Sequence, residues 1–126
     1  MNNQTARDYL LSKPETTESY PFGPDVAVYK VKKKMFATLA LGKMGKGDAD
    51  GSGKWWMNLK CDPAEAFMLR DIFPGVIPGY HMNKVHWNTI ILDGSIPKGE
   101  IERMIDNSFL LVVKKMSKRD QLLLSQ

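Results

Sequence analysis

The 126-residue chain has a single cysteine, Cys61, so no disulfide can form within it. A domain of this length does not need one, because it can bury a core without disulfides or metals. There is no run of 18 apolar residues, which argues against a membrane-spanning helix, and Met1 to Pro14 has neither the basic nor the apolar stretch of a secretory signal. The cytoplasm is the expected compartment, with no membrane partner, and Asn3-Gln4-Thr5 therefore has no meaning as a glycosylation acceptor. Arginine is absent between Lys30 and Lys60. Since arginine is the usual reader of guanine, that region has little means of reading bases. Histidine occurs only at positions 81 and 86, too few ligands for a zinc site when the one cysteine is distant in sequence.

The composition is 43% hydrophobic, 25% charged and 10% aromatic, which is that of a globular protein, and one domain is expected over residues 1–126. The net charge is +4, but it is unevenly placed. Lys30, Lys32, Lys33, Lys34, Lys43, Lys46, Lys54 and Lys60 face only Asp48 and Asp50 in their segment, a local +6. The rest of the chain holds ten basic and twelve acidic residues. An anion-binding face is therefore expected in the central segment. Lysines at strand edges also oppose aggregation, so this charge alone does not define a ligand.

A short helix is predicted over Gln4 to Lys13, starting near Thr5 and stopped by Pro14. Strands follow over Glu18–Phe22, Val26–Val31, Met35–Leu41 and Trp55–Lys60, separated by turn-forming residues and by the glycine-rich stretch from Gly42 to Gly53. Asp62-Pro63-Ala64-Glu65 combines a capping acid, proline at the first helical position and an acid three residues on, opening a helix to about Phe73. Two more strands are predicted at Tyr80–Met82 and His86–Leu92. A final helix runs from Pro97 to about Lys118, with a break near Asp106-Asn107. The order α-β-β-β-β-α-β-β-α predicts a two-layer α+β domain with an antiparallel sheet and helices. Alternation along Trp55–Lys60 puts Trp56, Asn58 and Lys60 on the face opposite Trp55, Met57 and Leu59, so Trp56 is the candidate exposed aromatic. The strands from Val26 and Met35 are apolar on both faces. Their second face is expected to be covered by the amino-terminal helix, a loop, a protein partner or a second copy of the chain.

Several motifs come close to a known chemistry and then fail. Asp48-Ala49-Asp50-Gly51-Ser52-Gly53 fits the first positions of a calcium loop, but Leu59 stands where the closing glutamate should be. Gly42-Lys43-Met44-Gly45-Lys46-Gly47 has the ingredients of a phosphate loop without its Gly-Lys-Ser/Thr. His81, Lys84 and His86 are candidates for acid-base work, yet no nucleophile or orienting carboxylate is identifiable beside them. The two residues read as hydrogen-bonded structural histidines. Cys61 reads as a small buried hydrophobe and Trp87 as a core residue. No metal and no cofactor are expected.

Pro21-Phe22-Gly23-Pro24-Asp25, Val28-Tyr29-Lys30-Val31, Lys34-Met35-Phe36-Ala37 and Leu59-Lys60-Cys61-Asp62-Pro63 form an ordered set with Leu69-Arg70. The set continues with Pro78-Gly79-Tyr80-His81-Met82-Asn83-Lys84, His86-Trp87-Asn88-Thr89 and Ser108-Phe109-Leu110-Leu111-Val112-Val113. On these residues the chain resembles the MmcQ/YjbR family over nearly its whole length after the first helix. The resemblance implies an α+β fold similar to the frataxin (CyaY) and secretion-chaperone class, no enzyme activity, and a proposed DNA-binding role using two hairpin wings. Family motif positions Tyr80, His81, Lys84, His86 and Trp87 are present; the Gly42–Gly53 loop is longer and more acidic than the family's turn. The expected function is non-enzymatic DNA binding through phosphate contacts from Lys32, Lys33, Lys34, Lys43, Lys46, Lys54 and Lys84, with Trp56 as a stacking group. The alternative is a protein-interaction or chaperone-like module using the apolar sheet face.

Overall fold

The structure is a computed structural model and describes residues 1–42 and 53–124. Helix α1 (Asn3–Leu11) leads into β1 (Thr16–Ser19), β2 (Val26–Val31), β3 (Lys34–Leu41) and β4 (Trp55–Lys60). Then come α2 (Pro63–Ile72), β5 (Val76–Pro78), β6 (Trp87–Leu92), α3 (Lys98–Val113) and α4 (Lys118–Leu124). The strands form one antiparallel sheet in the order β1-β2-β3-β4-β6-β5. The fold class is as the sequence predicts, with one further helix at the end.

The main core lies between one sheet face and the helices. Tyr29, Phe36, Met57, Leu59 and Ile90 from the sheet meet Ala6 and Leu10 of α1 and Ile101, Met104, Ile105 and Phe109 of α3. A bulge between Tyr29 and Lys30 lets Phe36 turn into this core, where its ring meets Phe109 edge-on at 5.4 Å. Ser108, fully buried on α3, donates to the Phe36 carbonyl at 2.6 Å and accepts from the Lys60 N–H at 2.9 Å. One hydroxyl thus fixes the helix to two strands and satisfies backbone groups that burial would otherwise leave costly.

Local chemistry explains where the elements differ from expectation. α1 starts at Asn3 because Asn2 caps it: the Thr5 N–H donates to Asn2 Oδ1 at 2.9 Å and Thr5 Oγ1 accepts from the Asn2 N–H at 3.0 Å. Thr5 is therefore the reciprocal partner in the cap, not its first residue. α3 runs unbroken through Asp106-Asn107, since the apolar spacing continues there and Asp106 is held from outside by the Tyr9 hydroxyl at 2.8 Å and by Lys13. The break comes instead after Val113, and α4 then buries Leu124. β1 begins two residues earlier than predicted and ends before Tyr20, leaving Phe22 exposed in the turn that follows. Residues 80–82 are not a strand; β5 forms just before them, and 79–86 is a loop.

The second sheet face is also closed. Val26, Val28 and Ala40 are buried, with Met35 packed against them, and α1 lies on the opposite, main-core side. Further along this face the 79–86 loop lies over Trp56, Asn58 and Thr89. The Tyr80 N–H donates to Thr89 Oγ1 at 2.8 Å, Thr89 Oγ1 donates to Asn58 Oδ1, and Tyr80 meets Trp56 edge-on at 5.7 Å.

Candidate nucleic-acid interface

β2 and β3 are joined by a two-residue turn, Lys32-Lys33, with Val31 paired to Lys34. Both turn residues have positive φ, 49° and 68°, a backbone region that asparagine and glycine occupy readily and lysine does not. Replacing the pair by Asn-Gly should raise stability by about 1–2 kcal/mol, seen as a higher urea midpoint at unchanged slope. A midpoint that stays or falls would mean the turn carries no strain.

In a meander, successive connections leave opposite ends of the sheet. β3 spans Lys34 to Leu41, so the Lys32-Lys33 turn and Lys54 are separated by about 23 Å of strand. Lys32, Lys33 and Lys34 are thus at one end. Lys54 is at the other, near Asp93, whose carboxyl is held below its usual range first by hydrogen bonds from Ser95 and further by Lys54. Lys43, Lys46 and the Asp48–Ser52 part of the calcium-like loop lie outside the described residues. Of the lysines in the two expected wings, those in the described residues therefore lie at opposite ends of the sheet, Lys32, Lys33 and Lys34 at one and Lys54 at the other.

The Lys32–Lys34 end is joined instead by residues from elsewhere in the fold. Lys32, Lys34, Lys60 and Lys115 line one depression together with Val112, Met116 and Asp120. Lys60 arrives at the end of β4, and Lys115 just past the last turn of α3. Burial pulls the Lys60 ammonium below its ordinary pKa, and the nearby charges of Lys115 and Lys34 pull it further. Its ammonium also lies 5.7 Å from the centre of the Trp87 ring. Lys32 has an ion pair with Glu15 at 3.2 Å. Among the described residues no carboxylate pairs within 4.0 Å of Lys34, Lys60 or Lys115. Lysines near a helix C-terminus complement its dipole, which accounts for Lys115 but not for Lys34 or Lys60.

The motif from Gly79 to Trp87 is mostly engaged in building its own loop. Arg70 of α2 donates to Asn88 Oδ1 at 2.7 Å, to the Trp87 carbonyl at 3.2 Å and to the Lys84 carbonyl. Lys84 spans the loop to the Gly79 carbonyl at 2.9 Å, and Asn83 Oδ1 accepts the N–H groups of Val85 and His86. Lys84 is therefore a loop brace whose ammonium already has an acceptor. Trp87 is buried, as expected.

Both histidines are exposed, and among the described residues neither imidazole makes a hydrogen bond. They fall in a loop and not on strands, and the structural hydrogen bonds expected of their rings are not made among the described residues. The His81 ring packs on Tyr80 at 4.3 Å, with a positive φ of 57°. Trp56 is half-buried under Tyr80, with its indole N–H buried and unpaired among the described residues, so it is not the exposed stacking group predicted. Alternation placed it on the correct face; the loop covering that face was not visible in the pattern. Cys61 is buried, and its thiol is pushed up to about 11, mainly by burial. Among the described residues no three His, Cys, Asp or Glu side chains gather closely enough to hold a metal, and no helix is long and apolar enough to cross a membrane.

Sequence reading missed Lys115 altogether and gave Lys60 no contact role. The register that sets Lys60 opposite Trp87 follows from strand pairing, but the approach of Lys115 depends on how α3 crosses the sheet.

A family model described as YjbR matches residues 11–111. The chain is 33% identical over 119 residues to an Escherichia coli O157:H7 protein named "Uncharacterized protein YbdF", covering 94% of this chain and 90% of that one. A crystal structure of Deinococcus radiodurans protein DR2400 superposes with a TM-score of 0.82 at 30% identity, over 98% of this chain and 88% of that chain. A Pseudomonas syringae protein, also solved by crystallography, gives 0.75 at 34% identity over 88% and 98%.

Proposed function

The chain belongs to the YjbR family, and on that premise we propose that it is a non-enzymatic DNA-binding protein whose phosphate contacts come from the Lys32–Lys34 end of the sheet. The observation that carries this reading is the approach of Lys34, Lys60 and Lys115 without a carboxylate partner among the described residues. Some cations elsewhere do have carboxylate partners, as with Arg7 and Glu18, Lys13 and Asp106, and Arg103 with Glu65 and Glu100, so it is the close approach of three lysines, and not the lack of a partner alone, that marks this end. Like charges brought together at the cost of desolvation are relieved by an anion from outside, and a phosphate backbone is a ready source. The strained lysine turn fits the same account, since it projects two further cations at the cost of backbone ease.

Contacts of this kind hold the backbone and carry little sequence preference. About four phosphate contacts would make affinity fall with salt at a log–log slope near −3.6. Fluorescence anisotropy with labelled DNA of mixed sequence, titrated over a range of salt, measures that slope. Micromolar protein that leaves the anisotropy unchanged at low salt would end the proposal. A protein partner would not find the apolar sheet face free, because Val26, Val28 and Ala40 are already buried. The exposed apolar side chains lie elsewhere, as with Phe67, Met68 and Ile72 of α2.

A further inference from the structure

Beside the lysine depression is a second groove that shares Lys60 and Lys115 with it. The two thus lie side by side, with these lysines between them, and together make one trough-like region. Apart from the shared lysines the groove has a different character: its lining includes the apolar Pro63 and Leu111 and the polar His86 and Asn83. His86 is exposed and presents a planar ring. Asn83 uses its carbonyl oxygen to accept two loop N–H groups, which leaves its amide NH2 to donate. Asp62, which caps α2, adds a negative charge at this end.

This charge gradient orders a ligand. A phosphate is favoured between Lys60 and Lys115 and disfavoured near Asp62. A neutral planar group, apolar on its faces and polar at its edges, suits the Pro63–Leu111–His86 end. A nucleotide within a strand has these two parts side by side. In a duplex, however, the base is stacked and paired inside while the phosphates lie outside, so it must be unstacked and unpaired before it can enter a groove. In a single strand it is free to do so, and stacking against protein groups is the usual basis of such binding.

Resting on the phosphate-site reading above, we propose that the trough selects single-stranded nucleic acid over duplex, holding a phosphate at Lys60 and Lys115 and one base between Pro63, Leu111 and His86. The test is anisotropy with oligo-dT, oligo-U and a mixed-sequence duplex of equal length, about 20 nucleotides, at matched salt. At least one single strand should bind about tenfold tighter than the duplex, and the tighter of the two identifies the polymer. Leu111→Gln should bring the ratio of single-strand to duplex affinity towards one. His86→Ala, at an exposed loop position, should do the same and guards against a folding defect in the first variant. Duplex binding as tight as the tighter of the two single strands overturns strand selection and leaves the lysine site standing. Absence of binding to all three probes overturns both. A preference that survives both substitutions overturns the placement of the base.

Discussion

Replacing Lys34 and Lys115 together by glutamate should lower affinity for DNA about 100-fold at low salt and reduce the magnitude of the salt slope by about two. Each lysine that neutralises a phosphate releases a counterion, so two lost contacts remove about two such steps. The reversed charges add repulsion in a depression that already contains Asp120. Both side chains are exposed, and their removal takes two positive charges away from the half-buried Lys60 ammonium. The variant should therefore melt no earlier than the parent protein, and anisotropy together with a thermal melt checks both halves of the expectation. Binding that survives the double change would put the phosphate contacts elsewhere. Lys54→Glu is the informative partner experiment, because it alters the same net charge by the same increment per residue at the far end of the sheet. A larger loss from Lys54 than from Lys34 or Lys115 would shift the interface to that end.

Gly79→Ala is expected to cost about 3 kcal/mol of stability, the upper part of the range for forcing an extra carbon into a packed site. A Cβ on Gly79 would fall 2.7 Å from the Trp87 Cβ, 3.0 Å from the Trp87 carbonyl oxygen and 3.1 Å from the Met82 Cβ. The carbonyl cannot withdraw, since it accepts the Gly79 N–H at 3.0 Å and also a hydrogen bond from Arg70. Relief must come from lifting the loop. That would draw Tyr80 from Trp56 and break the Lys84 brace, so tryptophan fluorescence should change along with the urea midpoint. Gly99→Ala is a contrast within the same protein: its Cβ would meet nothing within 4 Å, it lies near the start of α3, and it should stabilise by about 0.5–1 kcal/mol. Equal midpoints for the two variants would show that Gly79 is not held by packing.

The sequence was readable wherever a short-range rule decided the outcome. Asp62-Pro63 opens α2 at the predicted residue because cap and proline act within one turn, and the central strands fall where alternation placed them. What it could not show is closure over distance. Tyr80–Met82 reads as a strand, yet the Tyr80 N–H is taken by Thr89 of β6 and the same loop is held further on by Arg70, reaching from α2 to the Lys84 carbonyl. The same limit applies to the interface. A run of lysines between Lys30 and Lys60 reads as one basic region, but strand direction divides it between two ends, and the residue that completes one of them, Lys115, is far away in sequence.

The sheet's outer strands are short: β1 has four residues and β5 has three, the last of them Pro78. A strand adding to either side would find few free backbone groups, and on the β5 side one position cannot donate at all. Sheet extension is thus a poor route to self-association. For a chain that carries two tryptophans side by side and apolar residues on both faces of its central strands, such brief margins leave little backbone edge on which fibre-like stacking could start.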